Sequence, residues 1–292
     1  MASPRHVFHT RHDFTPEFAW AAFQLLAGID RSAIDINELY AIAKATASPL
    51  IKRSDLSKLF AAMEQIGLTE RAYQQVSLSV AGQSLAKGLG RYRMGFTVAI
   101  HCLYSWTWLW QSPGTATPSW SYREVCRQLL DGGAAGVEGD ELVLRVVSNA
   151  ARAFSAEKIS FSRSSVAGVT MWLEAQAPPL VQRIGSRIFS HNTSAPMADA
   201  LRLHLAALCA CTGGEALLNV ESLQLLAEGF LMSTAELIGY VSDFAQASSE
   251  FLLVRSIPYR VVFRESDDPF INWMIKSATS TVAVASMLSQ RP

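Results

Sequence analysis

Basic and hydroxylated residues around one predicted helix are the groups in this chain whose types and spacing suggest chemistry, namely contact with duplex DNA. Lys and Arg suit phosphate oxygens, whereas small or amide-bearing side chains reach base edges in the major groove, where Gln can form two hydrogen bonds with adenine. The predicted phosphate contacts are Lys52, Arg53, Lys58 and Arg71, and the predicted base contacts are Ser54, Ser57 and Gln65.

Two later regions of the chain repeat this pattern with different charges. In the first of them Arg163 begins a predicted helix, and Arg183 and Arg187 lie on the hairpin that follows, so further DNA contacts are predicted there. The alternative is that this helix belongs to the central core. In the second, the corresponding helix carries Glu236 and Asp243, with no Lys or Arg from 233 to 250. Carboxylates repel phosphate, so we expect a protein-interaction surface or a dimer contact at that helix.

Net charge leaves two interpretations open. The 25 Lys and Arg residues equal the 25 Asp and Glu residues, so no overall field favours a polyanionic partner. Residues 1–93 hold eleven Lys and Arg against eight Asp and Glu, a local surplus of three. Asp55 and Glu64 on the first helix oppose phosphate binding. The alternative to a DNA contact is therefore an ordinary solvated face.

Enzymatic and metal chemistry find little support in the motifs. His6, His9 and His12 precede Asp13 at spacings of three, but on a helix the first and third would point far apart, so no metal site is predicted. His101 and His204 lie in apolar helical stretches and are expected to be core residues. No metalloprotease, hydrolase-elbow or phosphate-loop motif occurs. The sequence predicts a non-enzymatic protein without a cofactor.

Composition indicates a folded protein of the reducing cytoplasm. Half of the residues are hydrophobic and 17% are charged, which excludes a disordered tail. The four cysteines form no C-x-x-C pair and are expected to be buried: Cys102, Cys126, Cys209 and Cys211. The uncharged segment Met94–Trp110 is at the lower length limit for a membrane span, and we expect a buried central helix instead.

The elements that must position these residues recur along the chain. Each region reads as helix, helix, helix and hairpin. In the first, Thr15-Pro16 predicts a helix start, Ser54 a cap for the third helix, and 72–78 a strand. The predicted fold is mostly α with short β-hairpin wings, arranged as tandem winged-helix-like units. The predicted domains are 1–93, 94–192 and 193–292.

The string LFAAMEQIGLTERAYQQVSLSVAGQSLAKGL carries a family resemblance. Met63-x-x-Ile66-Gly67-Leu68, followed by Leu78-Ser79-x-x-Gly82-x-x-Leu85, is similar to the third helix, wing and following helix of bacterial winged helix-turn-helix proteins. The resemblance covers residues 14–89. It implies a double-stranded DNA partner and a regulator or accessory subunit of a DNA-acting system, such as a bacterial antiviral defence or restriction complex. The alternative is a scaffold subunit that uses its winged helices for protein contacts alone.

Overall fold

Helices dominate the computed structural model, which describes Phe8 and residues 12–46, 53–88, 93–110, 117–155, 159–190 and 196–278. The helices are α1 Pro16–Ala27, α2 Ile36–Ala45, α3 Arg53–Gln65, α4 Val80–Gly88, α5 Arg93–Trp110, α6 Thr117–Gly132, α7 Gly139–Phe154, α8 Arg163–Glu174, α9 Ala198–Cys211, α10 Val220–Phe230, α11 Thr234–Ala247 and α12 Pro269–Ala278. The strands are β1 Ile34–Asp35, β2 Thr69–Ala72, β3 Gln75–Leu78, β4 Val137–Glu138, β5 Val181–Ile184, β6 Arg187–Ser190, β7 Glu215–Leu217, β8 Phe251–Val254 and β9 Arg260–Phe263.

One topology occurs three times. Each unit runs helix, short strand, helix, helix and hairpin, beginning at α1, α6 and α9. The three antiparallel sheets have the equivalent orders β1-β3-β2, β4-β6-β5 and β7-β9-β8. In each sheet the short strand pairs with the last strand of the unit. The chain is therefore a tandem array of three winged-helix-like units with short β-hairpin wings.

Local sequence explains where several helices begin. The Thr15 hydroxyl accepts a hydrogen bond from the Phe18 N–H at 3.3 Å, and Pro16 occupies the first turn, as predicted. Ser79 accepts from the Gly82 N–H at 3.1 Å and so caps α4. These side chains satisfy N–H groups that have no partner within the helix.

Three local predictions differ from the structure. Ser54 does not cap α3, because the helix begins one residue earlier, at Arg53, and Ser54 is already helical. Residues 72–78 form a hairpin rather than one strand, with the turn at Tyr73 and Gln74. The short strands β1, β4 and β7 were not predicted, because two or three residues are too few to show a strand periodicity.

The uncharged segment forms the central helix α5, as predicted, and packs between α6 and α9. Tyr104 on α5 stacks on Tyr122 of α6 with ring centroids 4.8 Å apart. Trp106 donates its indole N–H to Nδ1 of His204 on α9 at 3.1 Å. No helix among the described residues is long and apolar enough to cross a membrane. The second and third units thus both pack against α5.

A buried ion pair also joins these two units. Arg123 of α6 donates from Nε to Oε2 of Glu228 on α10 at 2.6 Å, and both residues are less than a tenth exposed. The guanidinium lies 5.8 Å from the ring centroid of Trp106 and 5.5 Å from that of Trp108. Buried charge is tolerated where it is paired, and here the two aromatic faces also stabilise the cation.

His101 and His204 are core residues, as predicted. The rings are fully buried, with centroids 5.2 Å apart. Nδ1 of His101 is 2.8 Å from the Tyr122 hydroxyl, and Nε2 is 2.8 Å from the Gly229 carbonyl. A carbonyl only accepts, so Nε2 carries the proton and Nδ1 accepts from Tyr122. Burial lowers the pKa of His101 to about 4 and lowers that of His204 well below its ordinary range.

We expect stability to fall as the pH drops below about 6.5. Both histidines are neutral when folded, whereas the unfolded chain binds protons at them below the ordinary pKa near 6.5. Each histidine should therefore lower the free energy of unfolding by roughly 1 kcal/mol per pH unit as the pH falls from about 6.5 towards 4. Urea unfolding between pH 7.5 and pH 4.5, in steps of about half a unit, would measure this slope. A His101→Gln variant should show a shallower slope, and a flat wild-type profile would contradict the prediction.

Gly229→Ala should destabilise the same junction. A methyl group at this position would lie 2.8 Å from Cε1 and 2.9 Å from Nδ1 of the His204 ring, which is fully buried and cannot turn away freely. Overpacking of this kind costs typically 1–3 kcal/mol. Thermal unfolding would show it, with Gly239→Ala on α11 as the matched control, because nothing lies within 4 Å of a methyl group there. Equal melting temperatures for the two variants would refute the packing argument.

Candidate nucleic-acid interface

The third helix of the first unit has one buried face and one solvated face. Leu56, Leu59, Phe60 and Met63 are buried at helical spacing. The solvated side contains the exposed Ser54 and Lys58 and the half-buried Ser57 and Gln65. The structure thus brings these four predicted contact residues to the outer side of α3. Lys52 and the side chain of Arg53 lie outside the described residues.

Lys58 already has acidic neighbours in this structure. Its Nζ lies 3.5 Å from Oδ2 of Asp13 and 3.9 Å from Oδ1 of Asp55. All three side chains are about a third to a half exposed, and ion pairs of this kind contribute little net stability. Breaking these two ion pairs would cost little, but both carboxylates would still repel a phosphate group brought to Lys58. Asp13 is a neighbour that the sequence analysis did not anticipate, since 45 positions separate it from Lys58 along the chain.

The wing of the first unit lies against the same helix. Arg71 on β2 pairs across the hairpin with the buried Val76, so its side chain lies on the inner face of the sheet. Its Nη1 donates to the Ser57 carbonyl of α3 at 3.4 Å. The fully exposed Tyr73 forms the tip, with a positive φ of 57°. Arg71 consequently connects wing and helix, in addition to its predicted role at phosphate.

The second unit repeats this arginine at the same register position. Arg183 on β5 pairs with the buried Ile188, as Arg71 pairs with Val76. Its Nε donates to Oε1 of Glu174 on α8 at 2.7 Å, and Nη2 donates to Thr170 of the same helix. In the third unit the equivalent residue is Leu253, opposite Val261. An arginine between wing and third helix therefore distinguishes the first two units from the third.

The other two predicted cations of the second unit are also paired. Arg163 binds both carboxylate oxygens of Asp140 on α7. The pairing with Arg163 lowers the pKa of the exposed Asp140 carboxyl and raises that of Arg163. Arg187 donates to the Ala135 carbonyl at 2.6 Å and lies 3.4 Å from Oε1 of Glu138. Sequence reasoning missed these acidic partners, because they belong to elements distant along the chain.

The third helix of the second unit is more deeply buried than that of the others. Seven residues of α8 are buried, including Trp172, whose indole N–H donates to the Phe14 carbonyl at 2.9 Å. Thr170 is fully buried. A narrow stripe remains solvated, from Arg163 to Glu174. Most of α8 therefore belongs to the core, which was the alternative to a DNA contact. Of the described residues in this unit, only the solvated stripe and the wing are left to contact a DNA groove.

The corresponding helix of the third unit is solvated and acidic. On α11 the buried residues are Leu237, Val241 and Ala245, while Glu236 and Asp243 are exposed. Tyr240 is 37% exposed on the same helix. No cation lies between residues 233 and 250, so this helix offers phosphate no favourable partner.

Metal-ligating side chains do not converge in the described part of the chain. No group of three or more His, Cys, Asp or Glu residues there could hold a metal ion. His6 and His9 lie outside the described residues. Three of the four cysteines are buried and Cys211 is half-buried, and burial raises their thiol pKa values.

Comparison with known proteins gives structural likeness alone. No protein-family model matches the chain, and no curated protein matches it. Two solved structures are similar, described as "SspB crystal structure" and "Magnesium ion-bound SspB crystal structure". Their TM-scores are 0.58 and 0.55, each at 15% sequence identity, over 97% of this chain and 89% of the other. The likeness therefore extends along almost the whole array of units.

Proposed function

We propose that this protein binds double-stranded DNA through the first unit, with α3 in the major groove and the β2–β3 wing on phosphate. In this proposal Lys52, Arg53, Lys58 and Arg71 contact phosphates, and Ser54, Ser57 and Gln65 face base edges. The second unit adds Arg163, Arg183 and Arg187 as further contacts with DNA. The third unit makes protein contacts. The protein acts in the cytoplasm as a non-enzymatic regulator or accessory subunit of a DNA-acting system, such as bacterial antiviral defence.

One observation carries this proposal: the wing arginine at equivalent positions of the first two units. Arg71 and Arg183 each lie between the wing and the third helix, with the guanidinium partly solvated, whereas Leu253 takes this place in the unit with the acidic helix. A winged helix lays its third helix in the major groove, with the wing and the flanking cations on phosphates. In the two units whose third helix carries cations, an arginine occupies this position. In the third unit, whose third helix carries none, a leucine does.

The salt dependence of DNA binding tests the proposal. Fluorescence anisotropy of a labelled duplex should show micromolar or tighter binding at about 50 mM salt and a steep loss at about 200 mM, because each phosphate contact releases counterions. Arg71→Ala should weaken binding, whereas Arg260→Ala removes a wing arginine from the third unit and serves as the matched control. No binding at the lower salt concentration would overturn the proposal.

The surface of the third unit supports a second candidate, a scaffold subunit that uses winged helices for protein contacts. Six of the ten exposed large hydrophobic residues among those described belong to this unit: Leu217, Val220, Tyr240, Leu252, Ile257 and Tyr259. This concentration of exposed apolar side chains in one unit favours a protein contact there. A scaffold would show no salt-dependent DNA binding and would co-purify with a larger partner.

A further inference from the structure

The outer strand of the third sheet differs from its counterparts in the other two units. β2, β5 and β8 each form one of the two edges of their sheet, and β1, β4 and β7 form the other. Their sequences are TERA, VQRI and FLLV, so the first two edges carry charged residues and β8 carries none. Charged side chains on an edge strand prevent pairing with other chains. Only β8 of these three edges lacks this protection.

Backbone groups at this edge have no partner among the described residues. Arg264 donates its N–H to the Glu250 carbonyl at 2.8 Å, and Phe263 donates to Gly214, beside β7, at 2.9 Å. Successive residues of an antiparallel strand bond to neighbours on alternate sides. Because Glu250 bonds to Arg264, just past the end of β9, Leu252 and Val254 also direct their backbone groups towards β9. Phe251 and Leu253, which alternate with them, direct theirs to the free edge.

The outward face of the same sheet is largely apolar. Leu252 is 38% exposed and pairs with Val262, which in turn pairs with Glu215 of β7. Val254 pairs with Arg260, which in turn pairs with the 49% exposed Leu217, so four of the six residues on this face are apolar. The equivalent face of the first sheet carries polar residues, namely Asp35, Glu70, Gln75 and Ser77. A sheet extended at β8 would cover the apolar face together with the unpaired edge.

We propose that β8 pairs antiparallel with β8 of a second copy of this chain, with Leu252 on the two-fold axis. In this register Phe251 lies opposite Leu253 of the second copy, and each such pair exchanges two N–H···O=C bonds. The two three-stranded sheets become one sheet of six strands. The apolar row Val262–Leu252 then continues into the same row of the second copy.

Charge complementarity favours a second copy as the occupant. The same register brings the exposed Arg255 opposite Ser249 of the second copy, two residues past the end of α11. The carboxyl end of a helix carries a partial negative charge, and α11 is itself acidic. The chain thus supplies a matched strand and a cation for its own acidic helix. An isologous contact of this kind closes as a dimer.

A cysteine at the proposed axis gives a direct test. Leu252→Cys should form an inter-chain disulfide under mild oxidation, because the two side chains would face each other in a close, non-hydrogen-bonded pair. Gln182→Cys is the matched control, since Gln182 occupies the same register position on β5 of the second unit. Non-reducing gels should show at least about tenfold more linked dimer for Leu252→Cys than for the control.

Sedimentation of the unmodified protein, without DNA, completes the test. The wild type should sediment at twice 31.9 kDa at about 100 µM, and Leu252→Lys should sediment as a monomer with an unchanged far-ultraviolet circular dichroism spectrum. Arg255→Glu should weaken the dimer, and Arg255→Lys should retain it. A wild-type monomer at this concentration, or equal cross-linking of the two cysteine variants, would overturn the dimer. Neither result bears on DNA binding, so the two proposals fail separately.

Discussion

Glu228→Ala should lower the free energy of unfolding by about 3–5 kcal/mol, which is a 100-fold or greater loss in the folding equilibrium constant. The variant leaves the Arg123 guanidinium buried between two tryptophans without the carboxylate that its Nε bonds at 2.6 Å. Uncompensated buried charge is among the most destabilising changes a core can suffer. Urea unfolding followed by tryptophan fluorescence would measure it.

Two further variants separate the charge effect from simple loss of contacts. Replacing both partners, as Arg123→Met with Glu228→Leu, should recover most of the stability, because an apolar pair of similar volume needs no compensation. Arg31→Ala removes an exposed pair with Glu38, and its unfolding midpoint should barely move. If Glu228→Ala unfolds at the wild-type urea concentration, the buried pair does not hold the two units together.

Replacing Lys52, Arg53 and Lys58 together by Ala should reduce DNA affinity at least about 100-fold near 50 mM salt. Each lost phosphate contact also lowers the slope of log affinity against log salt by about 0.9. The triple variant should therefore show a slope smaller by roughly 3, and its far-ultraviolet spectrum should not change. Anisotropy titrations at about four salt concentrations would give both quantities.

A charge-matched control isolates the site from the general field. Arg31, Lys87 and Arg145 are exposed cations outside the proposed contact residues, and replacing all three by Ala removes the same net charge. This variant should bind DNA nearly as the wild type does. If both triple variants lose affinity equally, the DNA contact is not centred on α3.

Most helices and the second and third wings could be predicted because each has a local signal, whereas the first wing was predicted as one strand and is a hairpin. The apolar stripe Leu56, Leu59, Phe60 and Met63 recurs at helical spacing and is buried as a stripe. Gly185 supplies the positive φ of 61° that the turn between β5 and β6 requires. The short strand β1 has no such signal, because its pairing with β3 depends on residues about 40 positions away.

The exposure of the predicted contact residues on α3 could be predicted from the sequence, but their ion pairs could not. The exposed positions of Ser54 and Lys58 follow from helical periodicity alone. The ion pairs of Arg163 with Asp140 and of Arg183 with Glu174 follow from packing between separate elements, which one sequence does not reveal. Arg123 and Glu228 are 105 positions apart and show no motif. Long-range pairs of this kind require the folded chain.

The central position of α5 determines how the molecule should come apart. Most of its described residues are buried and it packs against both α6 and α9, so neither neighbouring unit can detach without exposing this apolar helix to water. Exposure of so much apolar surface is costly, and local opening is confined to segments that avoid it. The second and third units should consequently melt in one cooperative transition, as a single foldon made of two repeats.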